Sequence, residues 1–339
     1  MSNKTRLDLL LVERGLEQTR QRAQAMIMSG LVFVDGQRVD NFFLRVAKGV
    51  PKSHIYRLLR SGEVRVNKKR VKAETRLALD DIVRVPPIRV PQKRDLVPRA
   101  APISDDTLPI LFEDEHLLIV DKPAGLACHG GSGIAFGLIE RLRASRPNQP
   151  FLELAHRLDR DTSGAIIVCK SRKALVRLQK SMREGGIEKH YRTLVKGDWV
   201  NDRQHVKLPL FKYVTKEGER RVRVDPEKGV PSHSIFTLIR RYGDVSFLDV
   251  ELLTGRTHQI RVHAAESGHP LVGDDKYGDF DFNREVSKGL LGIPFRRMFL
   301  HSYSLAFEHP VTHEKMKIES PLPEACEELI RVLNERKTV

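Results

Sequence analysis

The chain has 339 residues, 40% of them hydrophobic, and a formal net charge of +15, enough length for two to three packed units. No apolar run approaches the roughly 20 residues of a membrane helix, and Met1 to Leu16 mixes charged and apolar residues without the apolar block of a secretory leader. Its three cysteines, Cys128, Cys169 and Cys326, are odd in number and far apart, which argues against a disulfide framework or a zinc site and for a reducing cytoplasm.

Charge is unevenly distributed. The first 100 residues hold 22 Lys+Arg against 10 Asp+Glu, whereas the remaining 239 hold 37 against 34. A strongly basic end joined to a balanced remainder suits a part that grips a polyanion attached to a part that does something else; a basic end that only keeps the chain soluble is the bland alternative. Within this end the sequence repeats at an offset of 32 residues. Arg6-Leu7-Asp8 recurs as Arg38-Val39-Asp40, Ser29-Gly30 as Ser61-Gly62, and Val32 and Val34 as Val64 and Val66. Each copy reads as helix, turn, helix, strand. Apolar stripes run through Ala23, Met26 and Ile27 in the first copy and through Ile55, Leu58 and Leu59 in the second. Ser-Gly ends the second helix of each, with glycine past the last turn.

Arg14, Arg20, Arg22, Lys52, Arg57 and Arg60 lie off those stripes, and Arg65, Lys68, Lys69 and Arg70 follow on the strand and turn. Such a unit can lie along a duplex backbone and contact phosphates without reading bases. The second copy, from Gly49-Val50-Pro51-Lys52-Ser53 through Gly62-Glu63-Val64-Arg65-Val66-Asn67, resembles the S4 RNA-binding module. It is closed by Asp80-Asp81-Ile82-Val83-Arg84-Val85. The first copy lacks a closing strand and looks more like the S4 module that begins haemolysin-A-like RNA methyltransferases. Pro86, Pro87, Pro91, Pro98 and Pro102, interspersed with Lys93, Arg94 and Arg99, then read as an extended basic linker.

From Pro109 onward the pattern changes. Ile110-Leu111-Phe112 and Leu117-Leu118-Ile119-Val120 flank Glu113-Asp114-Glu115 as a hairpin. Ala165 to Val168 predicts a buried strand and Leu175 to Met182 a helix. Ser234 to Ile239, Phe247 to Leu252 and a run opened by Phe299-Leu300-His301 are further apolar segments, and Pro323 to Lys337 predicts a terminal helix. Strands outnumber helices and do not alternate with them. The expected class is therefore α+β, with a mixed, mainly antiparallel sheet.

Four segments read as chemistry: Asp121-Lys122-Pro123-Ala124-Gly125 with His129-Gly130-Gly131; His156-Arg157-Leu158-Asp159-Arg160-Asp161-Thr162-Ser163-Gly164; Lys189-His190-Tyr191; and Thr254-Gly255-Arg256-Thr257-His258-Gln259-Ile260-Arg261-Val262-His263. A carboxylate set among arginines is held in its charged form. Asp159 and Asp161, two apart in one stretch, are too close to face each other across a scissile glycosidic bond, so one of them is the working group. His258 and His263 lack the glutamate of an HExxH metal site, and His258 reads as a hydrogen-bonding group at a helix start. There is no GxGxxG and no GxxxxGK[ST]. No metal and no nucleotide cofactor is expected.

The second and fourth segments together resemble the RluA-type pseudouridine synthases, over about Pro109 to Pro321. The resemblance implies a pseudouridine synthase fold and a cofactor-free isomerase acting on structured RNA, with large-subunit ribosomal RNA the expected substrate. It implies Asp159 as the catalytic aspartate, Tyr191 as the tyrosine that stacks on the target base, and Arg261 as the arginine paired with the carboxylate. Arg157 corresponds to the residue that fills or holds the gap left by the flipped nucleotide, while Lys122, Pro123 and Leu300 match flanking motifs of less defined role. Three residues have an ordinary alternative: Asp159 as a structural cap, Tyr191 as a strand aromatic, and Arg256, whose role stays open, as a surface residue at a helix start. The family has a single S4-like module, from which the additional copy is a departure. The expected layout is an extra S4-like copy at 1–37, an S4-like module at 38–85, a linker at 86–108 and a catalytic domain at 109–339, in a monomeric cytoplasmic protein. Another RNA substrate such as transfer RNA, a catalytically silent S4-type assembly protein, and a hydrolase that releases free uracil are the competing readings.

Overall fold

A computed structural model describes residues 39, 42, 50, 52–78, 81–84, 108–130, 136–215 and 218–336. The extra S4-like copy expected at 1–37, and the proline-rich linker apart from Leu108, lie outside the described residues. The chain divides into two compact units, Met1–Pro98 and Arg99–Val339.

In the first unit, helix α1 (Lys52–Ser61) buries Ile55, Leu58 and Leu59 against Val39, Phe42, Val50, Val64, Val66 and Leu77. The helix stops at Gly62, whose φ of +74° suits glycine and whose N–H bonds to the Leu59 carbonyl at 3.2 Å. Three short antiparallel strands follow: β1 (Arg65–Val66), β2 (Lys69–Arg70) and β3 (Val83–Arg84), in the order β2-β1-β3. Between β1 and β2, Asn67 and Lys68 both have positive φ, 47° and 66°, the signature of a two-residue turn matched to strand twist. The Asn67 amide fixes the third strand, donating to Asp81 Oδ1 at 2.6 Å and accepting from the Ile82 N–H at 2.9 Å. Arg57, Arg60, Arg65, Lys68, Lys69 and Arg70 are all exposed. The Arg65 and Arg70 guanidinium groups turn back onto the carbonyls of Gly62 and Ser61 at 3.4 and 3.1 Å. Lys52 opens the helix; its side chain is outside the described part.

The second unit contains β4 (Ile110–Glu113), β5 (Leu117–Lys122), α2 (Leu138–Ser145), β6 (Glu153–Leu154), β7 (Ser163–Cys169), α3 (Arg172–Arg183), β8 (Ile187–Lys196), β9 (Arg203–Lys207), β10 (Leu210–Val214), β11 (Arg220–Val224), β12 (His233–Arg241), β13 (Val245–Leu252), α4 (Gln259–Glu266), α5 (Phe280–Val286), β14 (Leu300–Glu308), β15 (Lys315–Glu319) and α6 (Glu324–Arg336). The main sheet runs β4-β5-β7-β14-β8-β13-β12-β9, with β15 on β14 and β6 on β7, and β10-β11 form a separate hairpin. Among the described strands only β7 and β14 pair in parallel. This is the mixed, mainly antiparallel α+β architecture expected from the sequence.

Strand β7 is buried at all seven positions because both of its faces are covered. Ile166 and Val168 pack with Leu138, Ile139 and Leu142 of α2, while Ala165, Ile167 and Cys169 pack with Ala174 and Leu178 of α3. A strand covered on both faces reads as a continuous apolar run, which is why this one is visible in the sequence. Gly164 stands where β7 meets β14: a Cβ there would sit 2.3 Å from the Ser302 carbonyl oxygen. The parallel junction thus requires glycine. Among the described residues, no helix is long and apolar enough to cross a membrane.

Candidate active site

The Asp159 stretch is the turn that connects β6 to β7. Its two neighbours are pinned by backbone contacts. Leu158 donates its N–H to Cys128 Sγ at 3.3 Å and receives the thiol on its carbonyl at 3.2 Å. The Arg160 carbonyl accepts from Gly125 N–H at 2.9 Å and from Lys122 Nζ at 3.0 Å. Lys122 is fully buried and places its other two donors on the Pro123 and Leu126 carbonyls at 2.9 and 2.8 Å. Burial lowers its pKa to about 8, against the opposing pull of Cys128, Asp161 and Asp159. With both flanks held, Asp159 is presented in one place, the preorganisation that a reacting group needs. Its side chain is 25% exposed, so it is neither sealed in the core nor free in solvent.

Arg261 approaches from the other side. It lies on α4, whose start is tied to β12 by Gln259: the Gln259 amide donates to the His233 carbonyl at 3.0 Å and Ser234 Oγ at 2.8 Å, and accepts from the Arg256 N–H and the Thr254 hydroxyl. Arg261 is 2% exposed. It grips Asp274 with two donors at 2.7 and 2.6 Å, reaches Asp275 at 3.2 Å, and places Nη1 3.4 Å from Asp159 Oδ2. Burial alone disfavours both charges of the Arg261–Asp274 pair. Their mutual attraction outweighs it, so the guanidinium lies above its ordinary pKa, Asp159 and Asp275 adding to that, while Asp274 lies below its own. The guanidinium also stands 5.2 Å over the Tyr277 ring.

A buried ion pair of this kind is costly to break from one side only, because the survivor keeps its charge without a partner. Asp274→Ala is expected to destabilise the second unit by about 3–5 kcal/mol, read as a lower urea midpoint at unchanged slope. An unchanged midpoint would show that Arg261 finds equal compensation from Asp159 and Asp275.

Tyr191 sits on β8, opposite Val250 of β13 and Ser302 of β14. It is 5% exposed and packed with Leu158, Val250 and Ile260. Its phenol pKa is raised, chiefly by burial, with the Asp159 charge acting in the same sense and the Ser302 hydroxyl opposing. Sheet register and the β6–β7 turn therefore bring Asp159, Tyr191 and Arg261 together from segments up to 102 residues apart.

The other charged residues of the stretch behave differently. Arg160, expected among the company of Asp159, instead forks onto Asp161 at 3.1 Å, and both are at the surface. Arg157 is exposed. Arg256 is also exposed and bonds to the Pro231 carbonyl at 3.3 Å. His258 precedes α4 and lies 3.9 Å from Asp159 Oδ2. Asp274 and Tyr277 are site residues that no sequence motif singles out. The available signal was the arginine itself, since a buried guanidinium demands a carboxylate, and Gly273-Asp274-Asp275 is the acidic pair nearest in sequence.

The RNA pseudouridylate synthase profile matches residues 116–266, and the S4 domain profile matches twice, at 5–42 and 41–83. The chain is 47% identical over 304 residues to the ribosomal large subunit pseudouridine synthase C of Salmonella typhimurium, covering 89% of this chain and 94% of that one. It is 48% identical over 300 residues to the protein of the same name from Escherichia coli, covering 88% and 93%. Among solved structures, human RNA pseudouridylate synthase domain containing 1 superposes with a TM-score of 0.53 at 26% identity, over 69% of this chain and 98% of that one. Human RNA pseudouridylate synthase domain containing 4 gives 0.55 at 21% identity, over 66% and 92%, a likeness of fold.

Proposed function

The chain belongs to the RNA pseudouridylate synthase family, and on that premise we propose that it converts specific uridines of large-subunit ribosomal RNA to pseudouridine, with Asp159 as the reacting carboxylate. Membership makes it an RNA-modifying isomerase. The ribosomal substrate is supported by relatives that match over nearly their whole length and carry that target in their names. The single observation that carries the assignment of the site is the meeting of a part-exposed Asp159 with Arg261 beside Tyr191.

The reaction breaks the N1–C1′ bond, rotates the freed uracil and joins C5 to C1′, after which C5 loses its proton and N1 gains one. Atoms are conserved overall. The target base must leave its stack, at a cost of a few kcal/mol, and we read Arg157, exposed two residues before Asp159, as the side chain that fills the space it vacates. Tyr191 underlies the base. Asp159, oriented by Arg261, acts on the sugar as nucleophile or as base. All three site residues come from one chain, which supports action as a monomer. Ribosomal RNA as substrate and three buried, unpaired cysteines support the cytoplasm.

We read the layout as two S4-like segments, 1–37 and 38–85, a linker at 86–108 and the catalytic domain at 109–339. Arg57, Arg60, Lys68 and Lys69 are exposed and are the residues of the second segment best suited to phosphate contacts, with Lys52, Arg65 and Arg70 beside them. Replacing those four by Gln is expected to weaken RNA binding and to flatten the plot of log K against log salt by about 0.7–0.9 for each phosphate no longer neutralised. An unchanged slope means these side chains do not touch the RNA. The decisive experiment for function is mapping pseudouridine in ribosomal RNA from cells with and without the protein. Loss of one or a few large-subunit sites is expected, and an unaltered map overturns the proposed substrate.

A further inference from the structure

His258 is held in the left-handed region, φ 54° and ψ 22°, a conformation that costs a residue other than glycine on the order of 1 kcal/mol and persists where the surroundings hold it. Its imidazole is 12% exposed and lies between two groups. Nδ1 is 2.7 Å from Tyr277 Oη, and Nε2 is 3.9 Å from Asp159 Oδ2. Tyr277 in turn accepts the Val222 N–H at 2.8 Å. Among the described residues the Tyr277 hydrogen has no acceptor besides His258, so it goes to Nδ1, and the ring proton sits on Nε2, the nitrogen nearer Asp159. Both cationic and neutral donors then face the same oxygen: Arg261 Nη1 is 3.4 Å from Oδ2. Among the described residues no hydrogen bond reaches Oδ1.

We infer that His258 is a positioning residue for the reaction: a neutral imidazole, fixed in its Nε2–H form by Tyr277, that works with Arg261 to hold Oδ2 of Asp159 and leave Oδ1 to act on the ribose. The gap of 3.9 Å exceeds a hydrogen bond and closes by a small rotation of the carboxylate as the nucleotide seats, as donors in such sites commonly tighten on binding. A neutral donor orients the carboxylate without adding a second full charge beside it. Burial pushes the pKa of His258 below the ordinary 6.5; Asp159 opposes this, Arg261 and Lys276 reinforce it, and Asp274 opposes it. Lys276 is itself paired with Glu219 on the loop of the β10–β11 hairpin. The tyrosine that sets the tautomer stands 19 residues downstream of the imidazole; the fold brings it there.

Two variants separate this role from a merely structural one. Glutamine reaches as far as Nε2 with an amide N–H, whereas asparagine stops near the position of Nδ1. Asparagine, however, adopts the left-handed backbone more readily. Folding therefore favours His258→Asn and the chemistry favours His258→Gln. With an unmodified large-subunit ribosomal RNA transcript labelled with tritium at uridine C5, His258→Gln is expected to release tritium in single turnover within about 5-fold of the wild type. His258→Asn is expected to fall by about 100-fold, the size of losing one oriented donor, at unchanged RNA affinity. A variant order of Asn equal to or faster than Gln overturns the inference. So does an imidazole ¹⁵N spectrum showing the Nδ1–H tautomer, a measurement independent of substrate. The inference rests on Asp159 as the reacting group. Turnover by Asp159→Asn would undo that assignment itself, whereas an inert Asp159→Asn beside a fast His258→Asn would undo only the role of His258.

Discussion

Asp159→Asn is expected to abolish isomerisation, with a loss of at least about 10⁴-fold in single-turnover rate, as when a residue that the chemistry passes through is removed. RNA affinity is expected to stay within about 2-fold, because phosphate contacts dominate binding and are proposed to lie on the basic residues of the first unit. The fold should survive the change. Asparagine is the same size, and Arg261 keeps its bidentate partner Asp274 together with Asp275. Leu158 and Arg160 remain pinned by Cys128, Gly125 and Lys122 through backbone atoms that the substitution leaves alone. Asp161→Asn is the matching control. Asp161 pairs with Arg160 at the surface, a contact worth at most about 1 kcal/mol, so its variant should turn over within a few-fold of the wild type. Tritium release from uridine C5 measures both. Equal loss in the two variants would mean that the loop, rather than one carboxylate, had been damaged.

The sequence stretch around Asp159 shows what local pattern can and cannot convey. Apolar runs announce β5 and β7, because a strand buried on both faces is recognisable one residue at a time. The β10–β11 hairpin carries no such signal: Lys212, Arg220, Arg221 and Arg223 break its strands into apolar stretches of one or two residues, and Leu210, Val222 and Val224 pack inward, against Val262 and Tyr277. Within the site, composition suggests that several arginines surround Asp159. Distance sorts them: Arg261, 102 residues away, approaches it, whereas adjacent Arg160 turns to Asp161. Neighbours in a turn point in different directions, and long-range register decides which guanidinium arrives. The same limit hides Asp274. Its necessity is set by the burial of Arg261, which follows from how α4 packs and is not written in any spacing. Gly164 and Gln259 sit inside motifs that read as chemistry, yet their roles are mechanical, one permitting β7 to meet β14 and the other tying α4 to β12.

The second large effect concerns acid. Stability of the catalytic unit is expected to fall by about 6 kcal/mol between pH 6.5 and pH 4, through His263 and His301. Both are fully buried, and burial holds both rings neutral. His301 donates Nε2–H to the Ser320 carbonyl at 3.0 Å and accepts the Ser163 hydroxyl on Nδ1 at 2.9 Å. Ser232 gives its hydrogen to the Leu208 carbonyl, so it accepts from His263 Nε2–H at 2.8 Å, leaving His263 Nδ1 buried with no partner among the described residues. Burial lowers each pKa to about 4. Because the folded state binds these protons less tightly than the unfolded chain does, the unfolded chain carries more protons through this window, and stability is complete above pH 6.5 and lost as the pH falls toward 4. Each imidazole contributes about 3 kcal/mol, a large share of the roughly 5–15 kcal/mol that holds a domain folded. His156, lowered to about 4 by burial, acts in the same direction, whereas His190, raised by Asp249, is charged in both states over most of the window and adds little slope. Urea midpoints measured at pH 7 and pH 4.5 test this directly, and a His301→Gln variant should show a shallower dependence than the wild type even where it is less stable at pH 7. A midpoint independent of pH over that range would mean that these rings already carry, or readily accept, a second proton inside the fold.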